Sequence, residues 1–180
     1  GVAHREPNRS DLQYAADPNE VKAERMLDTE LSYSKSAQGY SLNANLYQQW
    51  YINQLVLTGA IDNQGFPIRA NVGQSVRRGI ELDGHIDLNA SWRLSAHTAL
   101  SQNTNFDWIT HQSSGEAAHT PIAFSPAILS GGRLAYQWKD LQLALVNQYV
   151  GKQYMSNEGL EAHSLPAYHL INARAAYHWT

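Results

Sequence analysis

The chain has 180 residues, of which 43% are hydrophobic, 16% charged and 10% aromatic, and none is Cys. Its 13 basic and 16 acidic residues leave a formal net charge of -3, without the basic excess of a nucleic-acid binder, and the missing Cys excludes a disulfide scaffold, a thiol nucleophile and a Cys-ligated metal. The length suits one domain, and no run approaches the roughly 18 apolar residues of a membrane-crossing helix, which leaves an alternating transmembrane β-barrel open.

Residues Gly1 to Ala3 are apolar, and His4 to Asp11 reads as a loop. No charged leader with an apolar centre is visible there, and a Gly start suggests a processed or excised chain. Helical periodicity is weak beyond this point. Long windows alternate at period two instead, which predicts an all-β antiparallel chain of seven long strands.

The first strand is expected over Glu24 to Ser36, with Leu27, Thr29, Leu31 and Tyr33 on one face, before a turn at Ala37 to Gly39. The second, Tyr40 to Leu57, starts with Tyr40, Leu42, Ala44 and Leu46 on one face. A loop over Thr58 to Ala70 leads to the third, Asn71 to Leu88. There Val76, Ile80, Leu82 and Ile86 oppose Glu81, Asp83, His85 and Asp87. A tight turn precedes the fourth, Trp92 to Ile109, where Trp92, Leu94 and Leu100 oppose Arg93, Ser95 and His97. A long polar loop, Thr110 to Phe124, follows. The fifth strand, Ser125 to Trp138, and the sixth, Leu141 to Tyr154, flank a two-residue turn at Lys139 and Asp140. After a loop over Met155 to Ser164, the seventh runs Leu165 to Trp179.

Antiparallel order puts every short turn at one end and every long loop at the other. Outer-membrane barrels share that asymmetry. The predicted strands, 13 to 18 residues each, exceed the usual globular range and leave a surplus beyond the 9–11 or so that cross the hydrocarbon. Trp92, Trp138 and Trp179, with Tyr177, fall at the short-turn end on the apolar faces, as an interfacial aromatic belt would. The opposite face, with Glu81, Asp83, His85, Asp87, Arg93 and His97, reads as a lumen wall satisfied by cross-strand pairs. A metal site or a catalytic acid pair is the sharper and less favoured account of those residues. Gly73 and Gly79 do not make a phosphate loop, because no Gly-Lys-Ser/Thr follows. No nucleophile-elbow context is present, so no catalytic residue and no cofactor are expected.

The stretch Asn45 to Gly59, reading Asn-Leu-Tyr-Gln-Gln-Trp-Tyr-Ile-Asn-Gln-Leu-Val-Leu-Thr-Gly, resembles the C-terminal barrel region of TonB-dependent outer-membrane receptors. The likeness continues in order through Pro67 to Ser75, Arg78-Gly79-Ile80-Glu81-Leu82, Phe124-Ser125-Pro126, Tyr149 to Tyr154 and Tyr168 to Trp179. His4 to Asp11 is similar to an outer loop of that family. The resemblance implies a C-terminal segment of about seven to eight strands from a transmembrane barrel of about twenty-two. The plug domain and the earlier strands are expected to lie outside this sequence. It also implies outer-membrane lipid as surroundings, TonB engaging through the plug, and a scarce small solute such as a metal chelate or cobalamin. The remaining strands, or another chain, would complete the wall. His4, Arg5, Asn8, Arg9, His111, His119 and His163 are the expected ligand-facing residues of the outer loops. Family chains usually end on an aromatic residue, whereas this sequence ends Tyr177-His178-Trp179-Thr180. Two other readings stay open on the residues alone: a small autonomous barrel of eight strands, and a soluble β-sheet ligand-binding module.

Overall fold

The computed structural model describes residues 1–15, 17–108 and 118–179. Strand β1 (Val2–Arg5) precedes a short helix, α1 (Arg9–Gln13), and a helical turn at Pro18–Glu20. Then come β2 (Glu24–Ala37), β3 (Tyr40–Ile61), β4 (Pro67–Asp87), β5 (Trp92–Trp108) and β6 (Ala118–Pro121). The chain continues through β7 (Ile128–Trp138), β8 (Leu141–Val150), β9 (Gln153–Tyr154), a turn at Glu161–His163, β10 (Ser164–Leu165) and β11 (Tyr168–Tyr177). The main sheet has the order β1-β2-β3-β4-β5-β7-β8-β11, with β6 on β5, while β9 and β10 form a separate pair. Every strand pairing is antiparallel.

The seven long strands expected from alternation are β2, β3, β4, β5, β7, β8 and β11. The count of seven to eight needs correction: eleven strands form among the described residues. The four added ones are two to four residues long, too short to show a period. The sheet is also open, since β1 and β11 end the strand order and do not pair with each other. The segment His4 to Asp11, expected as loop, holds the end of β1 and the start of α1. Asn8 and Asp11 form the reciprocal capping box that starts this helix: Asp11 N donates to Asn8 Oδ1 at 2.9 Å and Asn8 N to Asp11 Oδ2 at 3.0 Å. The sixth strand ends earlier than expected. At Gly151 the amide donates to Ile128 O at 2.8 Å, and the backbone lies so close to Ile128 that a Cβ would meet its oxygen at 3.0 Å. The chain therefore leaves β8 there, and β9 pairs with β10.

Register carries the alternation across strands. One face holds the row Leu31, Leu46, Ile80, Leu100 and Ile128, in successive partnership from β2 to β7. The next row on the other face holds Glu30, Tyr47, Gly79 and Ser101. The apolar face is left bare: Leu31 is 69% exposed, Leu46 50% and Ile171 63%. The buried apolar residues are Leu55, Val76, Trp108, Ile122, Ala144 and Val150, mostly toward the long-loop end. One face of the sheet is thus apolar and the other polar, with no second layer packed on the apolar one among the described residues.

Gly79 shows how tightly the inner face is built. A Cβ there would sit 2.9 Å from Tyr47 Oη and closer still to the Leu100 carbonyl oxygen, which is backbone and cannot swing away. Tyr47 covers the site that Gly79 leaves open. Gly79→Ala is expected to destabilise the sheet by about 1–3 kcal/mol, as overpacking does. A lowered urea midpoint for the intact protein refolded in detergent checks this.

Candidate functional site: inner wall and outer loops

The polar residues of β4 and β5 meet across one face. Asp87 accepts both Arg93 Nε, at 2.5 Å, and an Arg93 terminal nitrogen, at 3.0 Å. Asp83 is in register with His97 on β5 and accepts from Asn43 Nδ2 of β3 at 2.9 Å. His85 Nδ1 lies 2.6 Å from Ser41 Oγ. Glu81 stands between Asn45 and Ala99. Asp87 with Arg93, Asp83 with Asn43 and His85 with Ser41 are thus cross-strand pairs. The His97 ring lies over Gly131, where a Cβ would meet it at 2.6 Å. No group of three or more His, Asp or Glu arranged for a metal occurs among the described residues. Arg133 and Arg174 also belong to this face by register, opposite Ser95 and Ala144. Alternation along β7 and β11 could have marked them.

At the long-loop end, polar side chains tie the outer segments together. The Asp11 carboxylate is completely buried, with Arg5 at 3.0 Å and Arg69 at 3.6 Å. Arg5 also clamps Glu24 through two nitrogens at 2.8 and 3.0 Å. Glu24 in turn accepts the Leu55 amide at 2.5 Å. This network joins β1, α1, β2, β3 and β4. A second cluster centres on buried Asn105 and Asn157. Asn157 Oδ1 accepts the Ala123 amide at 2.8 Å, and its Nδ2 donates to Leu57 O at 3.4 Å. Asn105 Nδ2 reaches Thr120 Oγ1 at 3.4 Å and Asn157 Oδ1 at 3.5 Å. Asn105 Oδ1, Trp108 Nε1 and Ser156 Oγ are buried without a hydrogen-bond partner. A third contact closes the β9–β10 loop: Lys152 Nζ and Tyr154 Oη both donate to Glu161.

The expected ligand-facing residues are spread over several outer segments. Arg5 is engaged by Glu24 and Asp11, and Asn8 by its capping box. His4 is in register with Arg25 and shares the apolar, outward side of the wall. Arg9 is exposed at the start of α1. His119 is exposed and sets its ring edge-on to Phe106 at 5.1 Å. His163 Nδ1 lies 3.9 Å from Glu158. His111 lies outside the described residues. At the short-turn end Trp92 meets Tyr136 in a tilted pair at 4.7 Å, Tyr177 meets Trp179 at 5.0 Å, and Lys139 lies over Trp138 at 5.2 Å. A second outward aromatic pair, Trp50 and Phe106 at 6.3 Å, stands farther up the wall. It was legible only as two separate alternating positions on β3 and β5.

The profile of the family described as TonB dependent receptor-like, beta-barrel, matches residues 2–180. The chain belongs to that family. As a TonB-dependent receptor-like β-barrel it is an outer-membrane protein, and its family is one of transport receptors and not of enzymes. Curated proteins yield no match to the sequence. Solved structures resemble it over most of its length. The copper transporter OprC superposes with a TM-score of 0.80 at 15% identity, covering 100% of this chain and 28% of OprC. A mutant of the ferric enterobactin receptor PfeA from Pseudomonas aeruginosa gives 0.68 at 18% identity, covering 99% and 30%. The ferric yersiniabactin uptake receptor FyuA from Yersinia pestis gives 0.67 at 14%, covering 86% and 22%. The chain thus spans less than a third of the length of each, and at these identities the likeness is one of fold.

Two outcomes follow from the outer network. Asp11→Ala removes both a cap and the buried anion between Arg5 and Arg69. It is expected to loosen residues 6–23 by about 1–3 kcal/mol locally, seen as faster hydrogen exchange of α1 with β5 unchanged. Hydrogen bonds from Lys152 and then Tyr154 hold the Glu161 carboxyl below the usual carboxylate range. A depressed carboxyl stabilises above its unfolded pKa and loses that contribution as pH falls through the folded value. A spin label at Ala162 is therefore expected to gain mobility at the acid end of the carboxylate range, and Glu161→Gln to abolish that pH dependence. The effect is small because the pair is exposed.

Proposed function

We propose that residues 1–180 form a C-terminal wall segment of a larger transmembrane barrel, with the plug and the remaining strands lying elsewhere in the protein. The whole protein captures a scarce solute outside the cell and imports it with energy delivered by TonB through the plug. The observation that carries this reading is the full-length family match on a sheet with an apolar outer face and a polar inner face. The polar row from Ser34 and Asn43 through Asp83 to His97 faces the lumen, and the apolar row faces lipid. The aromatic-belt reading of Trp92, Trp138, Tyr177 and Trp179 is supported by their clustering at the short-turn end.

The cargo class common to the similar structures is a metal ion or metal chelate: copper for OprC, ferric siderophores for PfeA and FyuA. We assign that class to this protein, with a ferric siderophore complex as the leading member and cobalamin as an alternative. Among the outer residues, Arg9, His119 and His163 are free enough to meet such a solute, and we add His111 from the segment between β5 and β6. His4, Arg5 and Asn8 contribute by shaping the first loop.

The test is uptake by the full-length receptor in an outer-membrane host. Labelled ferric siderophore or copper is expected to accumulate only when TonB is present and the inner membrane is energised. The double variant His119→Ala/His163→Ala is expected to weaken solute binding about 5- to 30-fold, a loss of roughly 1–2 kcal/mol, with folding unchanged. Uptake that persists without TonB overturns the transport reading.

A further inference from the structure

Arg78 stands on the apolar, outward face of the wall. Arg77 and Arg78 are adjacent on β4, so they point to opposite faces. Arg77 turns inward and lies over the Tyr51 ring at 5.6 Å. Arg78 turns outward between Gln48 of β3 and Gln102 of β5. Its Nε and a terminal nitrogen both donate to Gln102 Oε1, at 3.1 and 2.7 Å. That partner is neutral, Arg78 is exposed, and no carboxylate stands within ion-pair distance of it among the described residues. Its charge is left uncompensated on the lipid side.

The height of Arg78 is set by the strands. Ten residues separate Arg78 from Leu88 at the short turn, and ten separate Gln102 from Trp92. A tilted strand crosses the hydrocarbon in about 9–11 residues. Arg78 and Gln102 therefore reach the outer headgroup level, where an outward arginine costs far less than at the midplane. Directly below them is a shallow depression of about 690 Å³, floored by Leu31, Leu46, Ile80, Leu100 and Ile128. A guanidinium with free donors above an apolar trough fits an amphiphile with an anionic head, because a planar fork of N–H groups matches a phosphate.

We infer that Arg78, with Gln48 and Gln102, binds the phosphate of an outer-leaflet lipid whose acyl chain lies in the trough below. This rests on the barrel-wall reading for which face meets lipid, and is independent of what the receptor transports. The lipid would be an annular ligand that fixes the height of the wall.

Full-length receptor is reconstituted with lipid A carrying both phosphates, or with dephosphorylated lipid A of the same acyl chains, and examined by native mass spectrometry after detergent exchange. The wild type is expected to retain the phosphorylated lipid at least fivefold better than the dephosphorylated one. Arg78→Gln is expected to remove that preference. Arg78→Lys restores part of it, and Arg77→Gln, on the opposite face, leaves it intact. Heat-modifiable gel migration confirms that each variant is folded. Equal retention by wild type and Arg78→Gln overturns the site. So does displacement by millimolar inorganic phosphate, which would mark a free-anion site, or a dimer peak without lipid, which would mark a protein contact. Loss of all lipid retention in every folded variant would instead overturn the placement of this face in the membrane.

Discussion

Backbone pairing in register from β2 to β8, shifted only near the end of β3 between Leu57 and Ile61, decides nearly everything else about this molecule. Side chains alternate across each strand, so one register sets the face of every residue at once, and a slip of one residue would exchange lipid for water along the whole wall. The row Leu31–Leu46–Ile80–Leu100–Ile128 and the neighbouring row Glu30–Tyr47–Gly79–Ser101 are two readings of that one register. Within hydrocarbon the constraint hardens, because no water is present to satisfy an unpaired amide. In the proposed barrel wall, lipid on the apolar face takes the place of the packed centre that a soluble sheet would require.

The inner face follows a different economy. Several of its polar and charged groups are paired with a neighbour one strand away: Asp87 with Arg93, Asp83 with Asn43, His85 with Ser41. Such pairs add little stability when exposed, but they prevent a buried charge from standing alone. Glycines opposite bulky rings, Gly79 under Tyr47 and Gly131 under His97, let the inner surface stay smooth where two strands would otherwise collide.

Seven strands and their faces were legible in the residues because alternation over ten or more positions is a strong signal. The shorter elements were not. A partial strand near Gly1 to His4, which β1 matches, was the exception; β6, β9 and β10 offer two to four residues each, too few for any period. Helix α1 was announced only by Asn8 and Asp11 three residues apart, a capping pattern hidden inside what reads as a polar loop. The candidate site was legible in part. The inner charges of β4 and β5 follow from alternation, whereas the outer clusters join residues far apart in sequence. Nothing local in Asn157 points to Leu57, 100 positions earlier. The side of the wall taken by His4 depends on its pairing with Arg25, which a four-residue strand does not reveal.

The Asn157 contact has a mechanical meaning. One amide side chain touches the end of β3, the chain just after β6, and the Asn105 side chain of β5, while Phe124 donates its amide to Tyr154 O at 2.8 Å beside it. The rim at this point is not a set of independent flaps. Asn157 therefore couples the chain beside the β9–β10 hairpin to β3 and β5, so that an outer segment and two wall strands share one side-chain anchor.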